Sequence, residues 1–427
     1  MSRNRLKNMG FFLLLFFIVC IVLFSILEIF LRIYTGPFVV KIKGNEIILP
    51  REGRTWTFTH NVGGGKLDEL ITVRQNSIGF RGDDPPDDFS KYLTIIAVGG
   101  STTYNAEISE GKTWVDVLGL KLKGGFKNVW INNAGFNGGA TEEHILLMEQ
   151  HISKLKPKIV LFLIGKNDSI SYETIGIDIG GKAAYIEKIR KNSAEYMIQS
   201  AYQRKKEAYS IKFKLNCLLK KAARKVSRQA AQYSEVISLA VTIHRNIQAY
   251  KQGLVIGQTE IENAETMEIS EKEKKIIQQR LQSNEVKDFL MAYKTRVEKL
   301  IELSRDNNID PVLITQPVLY GNAIDDVTGF NWSKVKIFNG IILDGEHWWQ
   351  WQEMVNDITR EVAESEKVLL IDLGRKLPKS SKYYIDLIHY SNKGNEVVAD
   401  IIYDKLCPYL AEFYNEYVTD SCGGMSK

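Results

Sequence analysis

Leu93-Thr94-Ile95-Ile96-Ala97-Val98-Gly99-Gly100-Ser101-Thr102 is the stretch that decides the fold: a mostly apolar run of strand length stops on two glycines, and two hydroxyl residues follow. Two later runs end in the same way. Val129 to Ile131 leads into Asn133-Ala134-Gly135-Phe136-Asn137-Gly138, and Ile159 to Ile164 leads into Gly165-Lys166-Asn167-Asp168. A short apolar run bounded by turn residues is the signature of a strand buried on both faces. Helices are expected between these strands. One runs near Thr113 to Lys123, and one is opened by Thr141, with Glu142 and Glu143 in its first turn where negative charge suits the helix dipole. Lys156-Pro157 ends the second helix and launches the third strand.

Working outward, a fourth strand is expected at Pro311 to Thr315 after a helix from Val286 to Arg305. A fifth is expected at Val368 to Leu373, and Asn395 to Tyr409 reads as the closing helix. Strand and helix in alternation predict an α/β fold with a parallel sheet and helices on both faces. Ligands of such sheets bind beyond the carboxyl ends of the strands, where the three polar blocks lie. Between the third and fourth strands sits a mainly helical insertion at about 173–285, too long for an ordinary connection. Within it Ile211, Leu215, Leu218, Leu219, Ala222, Ala223 and Val226 recur at helical spacing among seven basic residues. Such a helix can lie on an anionic membrane surface, but packing its stripe on the domain is the reading preferred here. Gln258 to Lys275 reads as a solvated helix or loop.

The amino terminus is the second strong signal. Met9 to Ile33 is almost wholly apolar, longer than a secretory h-region and without a small-residue cleavage site. It reads as an uncleaved signal anchor, with residues 1–34 forming a cytoplasmic tip and single-pass transmembrane helix. Arg3, Arg5 and Lys7 precede it, which favours a cytoplasmic amino terminus and an extracytoplasmic body; Arg32, Lys41 and Lys43 oppose that orientation. Residues 35–92 read as a linker and edge-strand region, in which Asn76 to Gly82 looks like an edge hairpin. Residues 93–415 form the main domain and 416–427 a tail. The 427 residues are 44% hydrophobic and 25% charged, with a formal charge of +5 that gives no reason to invoke nucleic acid. The four cysteines lack metal-ligand spacing; Cys407 and Cys422 could pair in an oxidising compartment.

The chemistry follows from residue types. A serine hydroxyl needs a base to take its proton during attack. Asp386-Leu387-Ile388-His389 sets an acid three residues before a histidine, in a loop just ahead of the last helix. That turn can hold the carboxylate against Nδ1 of the imidazole. The oxyanion formed by attack needs donors, and the backbone N–H groups of Ser101 and Gly138 and the Asn167 side-chain amide supply three candidates.

These four blocks, in this order, resemble the SGNH hydrolase superfamily of GDSL-type esterases and lipases. The resemblance covers about Leu93 to Glu173 and Asp310 to Leu410, leaving out the anchor and the insertion. It implies a flavodoxin-like α/β/α sandwich, with Ser101 as nucleophile, His389 as base and Asp386 as its orienting acid. It also implies an oxyanion hole of Ser101, Gly138 and Asn167, the family's Asn-x-Gly-x-x-Gly spacing selecting Gly138 over Gly135 and Gly139. Gly100 stands where many members carry aspartate. Asp168 is expected to tie its loop in place rather than to carry protons.

The expected activity is a membrane-anchored serine esterase acting on acyl esters, O-acetyl among them, of a glycan or a lipid. O-acyl transfer to a glycan, lipase or phospholipase action and, less favoured, a non-catalytic binding role are the alternatives. No cofactor and no metal is expected. Asn331 to Trp351 carries Trp332, Trp348, Trp349 and Trp351, which either overhang the site or else fill core or touch the bilayer interface, and His347 is expected to be a local hydrogen-bonding residue.

Overall fold

In the computed structural model, the described residues are 3–31, 40–43, 45–50, 55–59, 66–169, 261–262, 264–339 and 341–420, with 234, 236, 237 and 240. The chain divides into two compact units, Met1–Arg51 with Glu207–Leu254, and Glu52–Lys206 with Val255–Lys427. In the first unit, α1 (Arg3–Phe30) contains a 19-residue apolar stretch, Phe12–Phe30, whose side chains are exposed. At 1.5 Å per residue this stretch is roughly 28 Å long, the length a bilayer core of about 30 Å calls for. A short hairpin, Lys41–Lys43 with Glu46–Ile48, belongs to the same unit. The amphipathic stretch Ile211 to Arg228 lies outside the described residues.

The second unit is built on a six-stranded sheet. Its strands are β1 (Arg81–Gly82), β2 (Leu93–Gly99), β3 (Val129–Asn133), β4 (Ile159–Leu163), β5 (Asp310–Ile314) and β6 (Leu369–Ile371). The spatial order is β6-β5-β4-β2-β3-β1; all neighbours are parallel except β1, which pairs antiparallel with β3. Every residue of β2 and β4 is buried, as expected of central strands covered on both faces. The five parallel strands have the flavodoxin-like order, which reverses direction between β2 and β4. Their carboxyl ends therefore form the crevice where such sheets take ligands.

One helical layer consists of α3 (Trp114–Gly125) and α8 (Asn392–Phe413), packed on each other; α3 also packs on β3 and α8 on β6. The other consists of α4 (Thr141–Leu147), α6 (Asn284–Asp306) and α7 (Gly345–Glu366), with α6 and α7 against β5. The start of α3 follows from its sequence: Thr113 accepts from the Asp116 N–H while the Asp116 carboxylate accepts from Thr113, a reciprocal cap. The expected strands and helices are found with ends shifted by a few residues. Within the insertion, α5 (Glu271–Leu281) is a regular helix capped by Ser270, where the sequence left helix or loop open.

Asn76 to Gly82 departs from its expected role. Arg81 and Gly82 form an edge strand of the central sheet itself rather than a hairpin packed upon it. The Arg81 side chain is buried and donates to the carbonyls of Tyr104, Asn105 and Ile108 at 2.7, 2.7 and 2.8 Å and to Glu110 at 2.8 Å. A linker residue thus clamps the loop that follows Ser101.

Candidate active site

Ser101 opens the short helix α2 (Ser101–Tyr104) directly beyond the carboxyl end of β2. His389 lies in the loop between β6 and α8, two residues before the Ser391 cap of α8. Although 288 positions separate them, Ser101 Oγ and His389 Nε2 are 2.7 Å apart. His389 Nδ1 meets Asp386 Oδ2 at 2.6 Å, and Asp386 Oδ1 accepts the Ile388 and His389 backbone N–H groups at 2.7 and 2.6 Å. Those two bonds explain why the four-residue motif folds into a tight turn. Burial alone would raise the Asp386 pKa, but the facing imidazole and the three hydrogen bonds outweigh it and hold the carboxyl below its ordinary value. An ionised Asp386 accepts a proton-bearing Nδ1, which leaves the Nε2 lone pair for the Ser101 hydroxyl.

The donors lie beside this pair. Asn167, in the helical turn that follows β4, donates one amide N–H to the Gly139 carbonyl at 2.8 Å, and its second N–H has no acceptor among the described residues. The backbone N–H groups of Ser101 and Gly138 donate to no acceptor among the described residues, whereas the Gly139 N–H is taken by the Phe136 carbonyl at 3.2 Å. Gly138 has φ of 79°, a conformation that favours glycine. Gly100, Ser101, Gly139, Lys166, Asn167 and Gln316 are among the residues lining a cleft. Gly138 immediately precedes the cleft-lining Gly139.

Asp168 behaves as expected of a tie. It is buried and accepts the Thr141 hydroxyl, the Thr141 N–H at 3.2 Å and the Arg296 guanidinium at 3.2 Å, fixing the helical turn that carries Asn167 to the start of α4. Burial raises its pKa, and the Thr141 and Arg296 contacts oppose that.

Other expectations resolve differently. The Asp-x-x-His spacing also occurs at Asp344–His347, with the same 2.6 Å carboxylate–imidazole contact, which the sequence reading passed over. Asp344 caps α7 and both residues are buried, so His347 is the local hydrogen-bonding residue expected. Trp332, Trp348 and Trp351 are buried in core; only Trp349 is half-buried, packed over Gly321 and near the Lys379 ammonium. Cys407 is buried and disulfide-bonded, while Cys422 lies outside the described residues. Two cleft residues escaped the sequence reading. Lys166, inside the third block, donates to the Tyr320 hydroxyl at 3.0 Å, and Gln316 follows β5 with no motif to mark it.

The fold and the site together define a three-layer α/β protein with a serine–histidine–aspartate chain at the switch point of its sheet. No protein-family model and no curated protein sequence matches the chain. Among solved structures, the chain is similar to an acetylxylan esterase of Geobacillus stearothermophilus at 11% identity and a TM-score of 0.36, over 73% of this chain and 93% of that one. It is similar to a lipase/acylhydrolase of Enterococcus faecalis at 13% identity and a TM-score of 0.36, over 77% of this chain and 99% of that one. It is also similar to an alpha/beta hydrolase enzyme from the metagenome of Lake Arreo, at 12% identity and a TM-score of 0.34, over 74% and 95%.

Proposed function

We propose that this chain is a membrane-anchored serine esterase of the SGNH type, with Ser101 as nucleophile, His389 as general base and Asp386 as the group that orients it. The observation that carries this reading is the unbroken line of short contacts, 2.7 Å from Ser101 Oγ to His389 Nε2 and 2.6 Å from Nδ1 to Asp386. His389 takes the hydroxyl proton as Oγ attacks the ester carbonyl, and the imidazolium then returns it to the leaving alcohol. The oxyanion is held by the N–H groups of Ser101 and Gly138 and by the Asn167 amide, each donor supporting the transition state by about 3 kcal/mol. Water then releases the acyl group from Ser101 by the same steps in reverse order.

The exposed apolar helix α1 supports a single-pass anchor. The basic residues before it favour a cytoplasmic amino terminus with the catalytic unit outside, and the disulfide at Cys407 is consistent with an oxidising compartment. Protease added to intact cells then degrades the catalytic unit; complete protection reverses the orientation.

The test of the chemistry uses the full chain in detergent. Wild type hydrolyses p-nitrophenyl acetate and is labelled at Ser101 by a fluorophosphonate, and Ser101→Ala loses both while its thermal transition is retained. Undiminished turnover by Ser101→Ala, or labelling mapped to another residue, refutes the assignment.

A further inference from the structure

Among the described residues, Gln316 is a buried polar residue of the cleft wall that reaches toward both halves of the catalytic pair. Its side-chain Oε1 accepts the Thr102 hydroxyl at 3.0 Å, and Thr102 is the residue after Ser101. Its Nε2 donates to the Tyr390 hydroxyl at 3.3 Å, and Tyr390 is the residue after His389. The same nitrogen donates to the Pro317 carbonyl at 3.1 Å. The backbone of Gln316 is held as firmly. Asn356 on α7 accepts its N–H and donates to its carbonyl, both at 3.0 Å. Thr102, Gln316, Asn356 and Tyr390 are each 3% exposed or less, so water does not compete for these bonds.

Three separate parts of the fold thus meet at one amide: the end of β2, the end of β5 and the loop before α8. An apolar side chain of similar volume would fill this place without the cost of burying an amide. What an amide adds is direction, because an acceptor and a donor on one rigid plane fix two neighbours at a set separation.

We propose that Gln316 is a positioning residue for the reaction, a buried link that sets the Ser101 segment against the His389 segment and so maintains the nucleophile–base contact. The proposal rests on the esterase reading of the site. Gln316 touches neither reacting atom; it acts through Thr102 and Tyr390.

The experiment compares the full-length protein in detergent with Gln316→Met, Thr102→Val and Thr102→Ser, with Ser101→Ala as the inactive reference. Each is assayed for kcat and KM on p-nitrophenyl acetate, for the rate of fluorophosphonate labelling and for thermal stability. Misplacing a reacting group by about 1 Å can cost on the order of 100-fold. Gln316→Met and Thr102→Val are therefore expected to lower kcat and the labelling rate by about 10- to 100-fold, with KM within about threefold of wild type. Thr102→Ser keeps the hydroxyl and recovers most of kcat. The double variant of Gln316→Met and Thr102→Val is expected to be no slower than Gln316→Met alone, because both break one link. If Gln316→Met does not fold, the Thr102→Val and Thr102→Ser pair decides the matter. Unchanged kcat and labelling rate in folded Thr102→Val, with only the thermal transition lowered, overturns the proposal and leaves a structural role. Full activity in Ser101→Ala overturns the esterase reading instead, so the two failures are distinguishable.

Discussion

Gly100→Ala is expected to disable the site while sparing the fold. Gly100 has φ of −83° and ψ of −150°, which alanine adopts without backbone strain. The conflict lies in space: a Cβ there would stand 2.2 Å from Asn167 Nδ2 and 3.3 Å from the Gly139 carbonyl. Ordinary contact is about 3.4 Å or more, so the Asn167 amide must retreat by about 1 Å. That amide is the end of a side chain and can swing, so the stability lost is about that of its bond to Gly139, roughly 1 kcal/mol. Catalysis loses an oxyanion donor, about 3–4 kcal/mol and hence on the order of 100- to 1,000-fold in kcat. The assay measures kcat on p-nitrophenyl acetate for Gly100→Ala, Asn167→Ala and the double variant. The two single losses are expected to be similar and the double no worse, because both remove the same donor. A Gly100→Ala enzyme within about threefold of wild type beside a crippled Asn167→Ala would refute the steric argument. Two unimpaired single variants would refute the oxyanion role of Asn167.

The other predictions concern stability. Burial, partly opposed by the Gly99 carbonyl, lowers the His144 pKa from 6.5 to about 4. The unfolded chain takes that proton near pH 6.5 and the native state resists it to about pH 4, so stability is full above 6.5 and falls with pH across that window. The loss reaches about 3 kcal/mol at the acid end, and His144→Leu removes it. As pH falls from 6.5 to about 4 the thermal midpoint of wild type drops relative to that of His144→Leu; parallel profiles would contradict this. Arg81→Met leaves three buried carbonyls and Glu110 without their cation and is expected to cost about 3–5 kcal/mol in urea unfolding. Arg81→Lys does not recover it, since one ammonium cannot reproduce the guanidinium fork. A loss below about 1 kcal/mol would show the clamp to be dispensable.

Much of the fold was legible because each signal is local. A short apolar run bounded by turn residues or a helix marks a buried strand within about seven residues, and the five parallel strands were found from such runs. The first and fourth residues of the last block, Asp386 and His389, and the hydroxyl after Gly100, were legible for the same reason. Arg81 was not, because its partners lie more than twenty positions on and nothing at its own position announces a buried cation. The tryptophans near Asn331 could not be sorted, since aromatic residues at helical spacing read alike whether they fill core or line a cleft. Asp344–His347 shows that an Asp-x-x-His turn is no guide by itself: two copies make the same contact, and only one of them faces a serine.

The amino-acid sequence by itself determined the alternation of strands and helices, the apolar amino-terminal helix and the set of reactive groups on offer, because these follow from patterns among near neighbours. Tertiary structure decided which groups meet. The order of strands brings the ends of β2 and β4 side by side, and the return of the chain after β6 carries His389 to Ser101 across 288 positions. It also decided that Gly100 must lack a side chain and that Gln316 spans the pair. Contacts of that kind depend on how distant segments pack, which no local pattern records.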